Sequence, residues 1–227
     1  LKTAIVNTLL VLFAVVLIYP FGMMVFGSLK TATELSRNPA GLPEAPTLEN
    51  YVILSQYNGG LMIRTFFNGV YVSSAYIVLA IIVASLAAYA FAKYRFKGAN
   101  LIFVALLTTI MVPKDILIPP MFIMFSKVGM LDSYAVQILP FVPNVFALFM
   151  LRQFMINMPD SVLESALIDG ASHLTIFRRI AFPMSAPAIG ALAILLFNQK
   201  WNDFLWPAIM VNDVDKVPIT VILPTIT

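Results

Sequence analysis

Apolar positions along the chain gather into long uncharged runs. Thr3 to Leu29, Thr65 to Ala92, Ser133 to Leu151 and Ile180 to Gln199 stand out. Each approaches or exceeds the ~20 residues a helix needs to cross a ~30 Å hydrocarbon core. None alternates with the period of two expected of a membrane barrel strand, so the runs predict helices.

A first span is expected from about Thr3 to Gly27, followed by a polar, proline-bearing loop from Lys30 to about Asn58. A second span, from about Thr65 to Ala92, ends at the cationic hexapeptide Lys93 to Gly98. The third starts near Ala99 and meets Pro113, Pro119 and Pro120. An internal proline costs a helix about 3 kcal/mol. The span is therefore expected to end or kink near Pro113, with a second short helix over 121–130. A fourth span covers about Ser133 to Phe154, bent by Pro140 and Pro143, and a fifth runs from about Ala186 to Met210. The uncharged run from Val217 to Thr227 reads as the start of a sixth. The chain does not open on methionine and stops inside that run, so a piece of a longer protein is expected. The first run is too long for a signal peptide, and Lys2 is its only leading charge. The fold expectation is an all-α integral membrane protein: a polytopic helix bundle with five spans plus the start of a sixth, forming one transmembrane domain over residues 1–227.

One segment breaks the pattern. Between the fourth and fifth spans lies Ser161 to Pro183, amphipathic and charged. Ser161 with Glu164 three residues on reads as a capping box after Pro159. Val162, Leu163, Ala166 and Leu167 share a face at helical spacing. Gly170 suits a left-handed stop, and Ser172 suits the cap of a second helix. In that helix Leu174, Phe177 and Ala181 align, and Pro183 is expected to close it. Two helices joined at a glycine elbow, both tied to spans, can transmit a push from a soluble partner to the bundle. They can equally be an interfacial hairpin that only links two spans.

Composition agrees with a membrane protein: 60% of residues are hydrophobic and 11% charged, against about 25% charged in soluble domains. Mean hydropathy is +0.91. There is no cysteine and a single histidine, His173. That excludes disulfides and a histidine or cysteine metal cluster. A net charge of +3 with scattered cations gives no nucleic-acid footprint. No phosphate-loop pattern is present, so the chain is not expected to bind ATP in that way. Alternation of sides puts Lys2, Lys93, Arg95, Lys97, Arg152, Arg178 and Arg179 on one face. Lys30, Arg37, Arg64, Lys114, Lys127 and Lys216 fall on the other. The totals barely differ; the tight cluster at Lys93, Arg95 and Lys97 marks its side as cytoplasmic.

Polar residues inside the fifth span are the other candidates. From Ala186, Lys200 lies about 21 Å along a helix at 1.5 Å per residue, past mid-membrane. A charge at that depth is a functional-site expectation. Lys200 and Asp203, three apart, are placed to neutralise each other. Asn198, Lys200, Asn202 and Asp203 are the candidate lining of a substrate pathway. Alternatively, this is a helix end reaching the interface, with Trp201 and Trp206 as belt anchors. The loops Lys30 to Asn58 and Asn212 to Pro218 are candidate contacts for an external partner.

The elbow segment resembles the signature loop of ABC-importer permeases: Glu-Ala-Ala, three residues, Gly, nine residues, Ile-x-Leu-Pro. Here it reads Glu164-Ser165-Ala166, Gly170, then Ile180-Ala181-Phe182-Pro183, with Ser165 and Phe182 as the departures. Ile168 to Ser172, Leu117 to Phe125 and Trp201 to Pro207 resemble the carbohydrate-uptake subgroup, which includes the maltose and glycerol-3-phosphate importers. The resemblance covers nearly the whole chain. It implies a type I importer permease without catalysis of its own, in a prokaryotic inner membrane, with the signature loop in the cytoplasm. It implies as partners a second permease subunit, two ATP-binding subunits carrying ATP and Mg, and an extracytoplasmic solute-binding protein. ATPase-subunit docking would then fall to Glu164, Ala166, Asp169, Gly170, Ala171, Leu174 and Phe177. A secondary transporter would instead show paired inverted repeats and carboxylates within the spans. No repeat is evident, and Asp203 is the one buried candidate. An intramembrane enzyme would need convergent nucleophiles or ligands, which a lone histidine and dispersed acids do not supply.

Overall fold

The computed structural model describes residues 2–226, with the side chains of Lys2 and Ala4 outside the described set. Among the described residues every regular element is helical. The chain forms two compact units, Leu1–Arg64 and Thr65–Thr227.

The first unit contains helix α1 (Lys2–Ser28), α2 (Ala32–Arg37) and α3 (Glu49–Gln56). No side chain in the Ile5–Ser28 window of α1 is buried within the chain. A helix apolar on all sides is one that hydrocarbon surrounds. The loop after it is a folded knot. Lys30, 1% exposed, donates from Nζ to the carbonyls of Asn38 (2.6 Å) and Gly41 (2.7 Å). Asn50 Nδ2 bridges the carbonyls of Ser28 and Lys30, and Thr31 caps α2. These bonds meet the cost of burying an ammonium and its surrounding backbone.

The second unit is built around three helices: α4 (Leu61–Lys93), α8 (Val145–Ile156) and α12 (Ala186–Trp201). Ala80, Ala84 and Ala88 recur every fourth residue on α4 and are at most 2% exposed. Small residues at that spacing let helix backbones approach, and in lipid such close packing holds helices together. Leu148, Leu151 and Met155 of α8 and Leu192 and Leu196 of α12 complete the core.

Two breaks have local causes. Helix α5 (Ala99–Thr109) stops at Thr109, four residues before Pro113, where the proline ring would strike the carbonyl of Thr109. A 3₁₀ turn over Lys114–Leu117 leads into α6 (Ile118–Lys127), bent 85° from α5. Pro119 and Pro120 were expected to interrupt a helix. They lie in its first turn instead, where a missing N–H costs nothing. Helix α7 (Tyr134–Ile138), extended by a 3₁₀ turn to Phe141, meets α8 at 43° after Pro143.

The expected continuous fifth span is not present. Helix α12 stops at Trp201 and α13 spans Leu205–Met210. Pro207 accounts for this, because Asp203 is four residues upstream and loses its helical donor. Thr220 Oγ1 donates to the Asp203 carbonyl instead, at 3.2 Å. Among the described residues, two helices are long and apolar enough to cross a membrane alone, and the count reaches five only if each bent pair is one span.

Candidate functional site

The amphipathic segment folds into α9 (Asp160–Ile168), α10 (His173–Ile176), a π turn over Phe177–Ala181 and α11 (Phe182–Met184). Gly170 takes φ +83°, a conformation strained for residues with a Cβ. Ala171 N–H donates to the Ala166 carbonyl and Gly170 N–H to the Leu167 carbonyl, both at 3.0 Å. That pair of bonds is the Schellman stop. Ser172 Oγ then accepts from Thr175 N–H and caps α10. Ala166 and Ala171 pack half-buried against the core, and Asp169 is the exposed C-cap of α9.

Three local expectations are corrected. The Ser161–Glu164 capping box does not form. Asp160 already belongs to the helix, the N-cap is Pro159, and no side chain caps it. Pro183 does not close the second helix, which continues to Met184. The π turn widens the backbone at Arg179, the carbonyl the proline ring would otherwise strike. Phe177 is not an outward knob. It is 8% exposed and packs on Tyr89, ring centroids 5.4 Å apart, and on Phe182. Leu174 does face outward, and so does Ile168, the most exposed large apolar side chain of the elbow at 86%. Ile168 escaped sequence reasoning because it belongs to no core stripe. Its signals were its place at the head of the Ile168-to-Ser172 resemblance and its apolar character two positions before the glycine.

A cleft of ≈450 Å³ opens beside the elbow, lined by Lys93, Tyr94, Arg95, Asp160, Glu164 and His173 among others. His173 sits edge-on to Tyr94, centroids 5.1 Å apart. Lys93 lies 2.7 Å from Asp160 Oδ1. Its hydrogen bond and charge, with Arg95 adding to them, hold the Asp160 carboxyl below the usual carboxylate range.

The pathway candidates divide. Lys200 and Asp203 form an ion pair at 2.9 Å, with side chains 6% and 12% exposed. The Lys200 ammonium lies 4.1 Å from the centroid of the Phe141 ring. Both residues border a recess of ≈50 Å³ with Tyr76, Asn144 and Lys114. It shares Lys114, Phe141 and Asp203 with a cavity of ≈190 Å³ reaching Asp115, Ile118 and Trp206. Asn144 Nδ2 donates to Tyr76 Oη at 2.8 Å. Asn198 and Asn202 are exposed, line neither space, and bond to each other on the outside of the helix. Tyr76, Lys114, Phe141 and Asn144 come from other helices, so spacing along the fifth span could not reveal them. Trp206 is not a belt anchor. It is 5% exposed, donates to the Val136 carbonyl at 2.9 Å and packs between Phe125 and Phe141. Among the described residues no three His, Cys, Asp or Glu side chains gather as a metal site would require.

Residues 77–226 match the family model described as binding-protein-dependent transport system inner membrane component. The chain belongs to this family. It is thus a multi-pass inner-membrane permease, and it resembles permease proteins of oligosaccharide and glycerol-3-phosphate transport systems. The arabinooligosaccharides transport system permease protein AraQ of Halalkalibacterium halodurans is 34% identical, over 91% of this chain and 75% of that protein. The diacetylchitobiose uptake system permease protein NgcG of Streptomyces coelicolor is 32% identical, over 96% and 72%. The sn-glycerol-3-phosphate transport system permease protein UgpE of Escherichia coli is also 32% identical, over 92% and 76%. The permease shares its fold with a bacterial ABC transporter involved in importing the acidic polysaccharide alginate. The TM-score there is 0.87 at 23% identity, covering 99% of this chain and 79% of that one.

Proposed function

We propose that this permease, paired with a second permease chain, forms the translocation pathway of an ATP-driven importer for a sugar or a related polyol or phosphate solute. Two ATPase subunits, which take up the ATP and Mg²⁺, grip the elbow on the cytoplasmic side. A solute-binding protein delivers cargo from outside. The permease hydrolyses nothing itself.

The elbow's apex carries the reading. Ile168 and Leu174 expose large apolar side chains on either side of a Schellman-locked glycine, within the Glu164-to-Pro183 signature spacing. An exposed apolar pair on a rigid corner is a feature a partner's groove covers. Glu164, Asp169 and Gly170 surround that apex as docking contacts, with Ala166 and Ala171 packed beneath it. Lys200, Asp203, Tyr76 and Asn144 border the solute's path, where amides, hydroxyls and an aromatic face suit sugar hydroxyls.

The chain has no cysteine, so single introduced cysteines report cleanly. Ile168→Cys leaves the Ser172 cap intact. It is expected to cross-link, in a nucleotide-sensitive way, to a cysteine in the surface groove of a co-expressed ATPase subunit. Thr47→Cys is expected to give no such link. Labelling of Ile168→Cys only from outside the cell would overturn both the docking and the orientation.

A further inference from the structure

We propose that Lys93 is the pin through which the elbow moves helix α4, a positioning residue for coupling that lies outside the signature loop. The inference rests on the docking reading above and adds the route by which force leaves the elbow.

Lys93 is the last residue of α4. Its side chain is 8% exposed. Its Nζ donates at 2.7 Å to the Met158 carbonyl and at 2.7 Å to Asp160 Oδ1. The acceptors mark the start of α9: Met158 precedes its N-cap Pro159, and Asp160 is its first residue. The ammonium therefore bridges two helix ends of opposite polarity: the carbonyl end of α4 and the amide end of α9, where Asp160 sits in the first turn. A charge that served only to mark a cytoplasmic side could stay in water. This one is buried and aimed.

Other contacts tie the same end of α4 to α8 and to the second helix of the elbow. Arg152 Nε donates to the Phe91 carbonyl at 3.3 Å, with its guanidinium 4.1 Å from the Phe103 ring centroid. Tyr89 packs on Phe177, and Tyr94 on His173. The end of α4 thus touches both helices of the elbow. Ring contacts tolerate sliding; two short bonds from one ammonium to two fixed acceptors do not. Lys93 is the tie that holds register when the elbow is displaced.

The test uses the intact transporter with its ATPase subunits in lipid. Ile168→Cys reports docking, and Gln199→Cys, at a residue that lines the Lys200–Asp203 recess, reports the pathway through maleimide labelling with and without vanadate-trapped nucleotide. Lys93→Met is expected to keep the docking cross-link while the labelling response per ATP hydrolysed falls about tenfold. Lys93→Arg should retain most of the response, and Asp160→Asn should lose only part, because the Met158 carbonyl remains. Should Lys93→Met fail to assemble, Lys93→Gln carries the same expectation. A wild-type response in Lys93→Met or Lys93→Gln overturns the pin. So does an equal loss in Lys93→Arg and Lys93→Met, which would mark a merely structural residue. Failure of the wild-type Ile168 cross-link would instead overturn the docking reading, and the pin with it.

Discussion

Lys93 and Lys200 are almost equally buried, with side chains 8% and 6% exposed, and each meets an aspartate, at 2.7 and 2.9 Å. Their partners differ. Asp203 is three residues from Lys200, is itself 12% exposed, and shares the charge with the face of Phe141. Asp160 is 67 residues from Lys93 and 74% exposed. The first pair is closed on itself, so its energy is spent keeping a charge tolerable inside an apolar bundle. The second pair has one foot in a core and one in water, and it joins elements far apart in sequence. A buried lysine near an aspartate is thus not one kind of feature. Where the partner sits decides whether the pair neutralises or connects.

The largest effect should come from breaking the closed pair on one side. Asp203→Ala leaves the Lys200 ammonium uncompensated and is expected to cost about 3–5 kcal/mol, read as lost thermal stability in detergent. The double variant Lys200→Met/Asp203→Leu should recover most of that loss. If it does not, Lys200 does more than balance charge. Lys93→Met removes two charge-assisted bonds and is expected to cost about 2 kcal/mol, with no comparable rescue from changing Asp160. Phe141→Leu removes the ring face above Lys200 and is expected to cost about 1 kcal/mol. Acid should act least on stability. The Asp160 carboxyl is held below its ordinary range by Lys93. The contribution of that contact is therefore complete above the ordinary carboxylate pKa and is lost only as pH falls through the lower folded value. Coupling is expected to be flat from neutral pH down to mild acid; a fall within that range would overturn this account of Asp160.

What could be read from the sequence followed the reach of each interaction. The elbow was legible where its chemistry is local: Gly170 takes the left-handed turn, Ser172 caps the next helix, and Lys200 finds Asp203 at the expected spacing. Several misreadings involve contacts or backbone changes that local rules do not supply. Ser161 and Glu164 have the spacing of a capping box, but the N-cap falls two residues earlier, at Pro159, with Asp160 held by a lysine from another helix. Phe177 shares a wheel face with Leu174, yet the π turn that begins there and the Tyr89 ring draw it inward. The break in the fifth span was written in Pro207 and needed only the rule that a proline disturbs the carbonyl four residues before it. The recess at Tyr76 and Asn144 gathers side chains from different helices, and no pattern along one strand of text encodes that meeting.

The two kinds of helix also differ in how much information their letters carry. In α1 no side chain of the Ile5–Ser28 window is itself buried within the chain. Exchanging Leu for Ile, Val or Phe there opens no buried cavity within the chain, and the stretch specifies little beyond a thickness. On α4, Ala80, Ala84 and Ala88 specify a shape, because a larger residue has nowhere to go. Within this chain, then, α1 is free to drift in sequence under a constraint on average greasiness alone. Three methyl groups on α4 are held letter by letter.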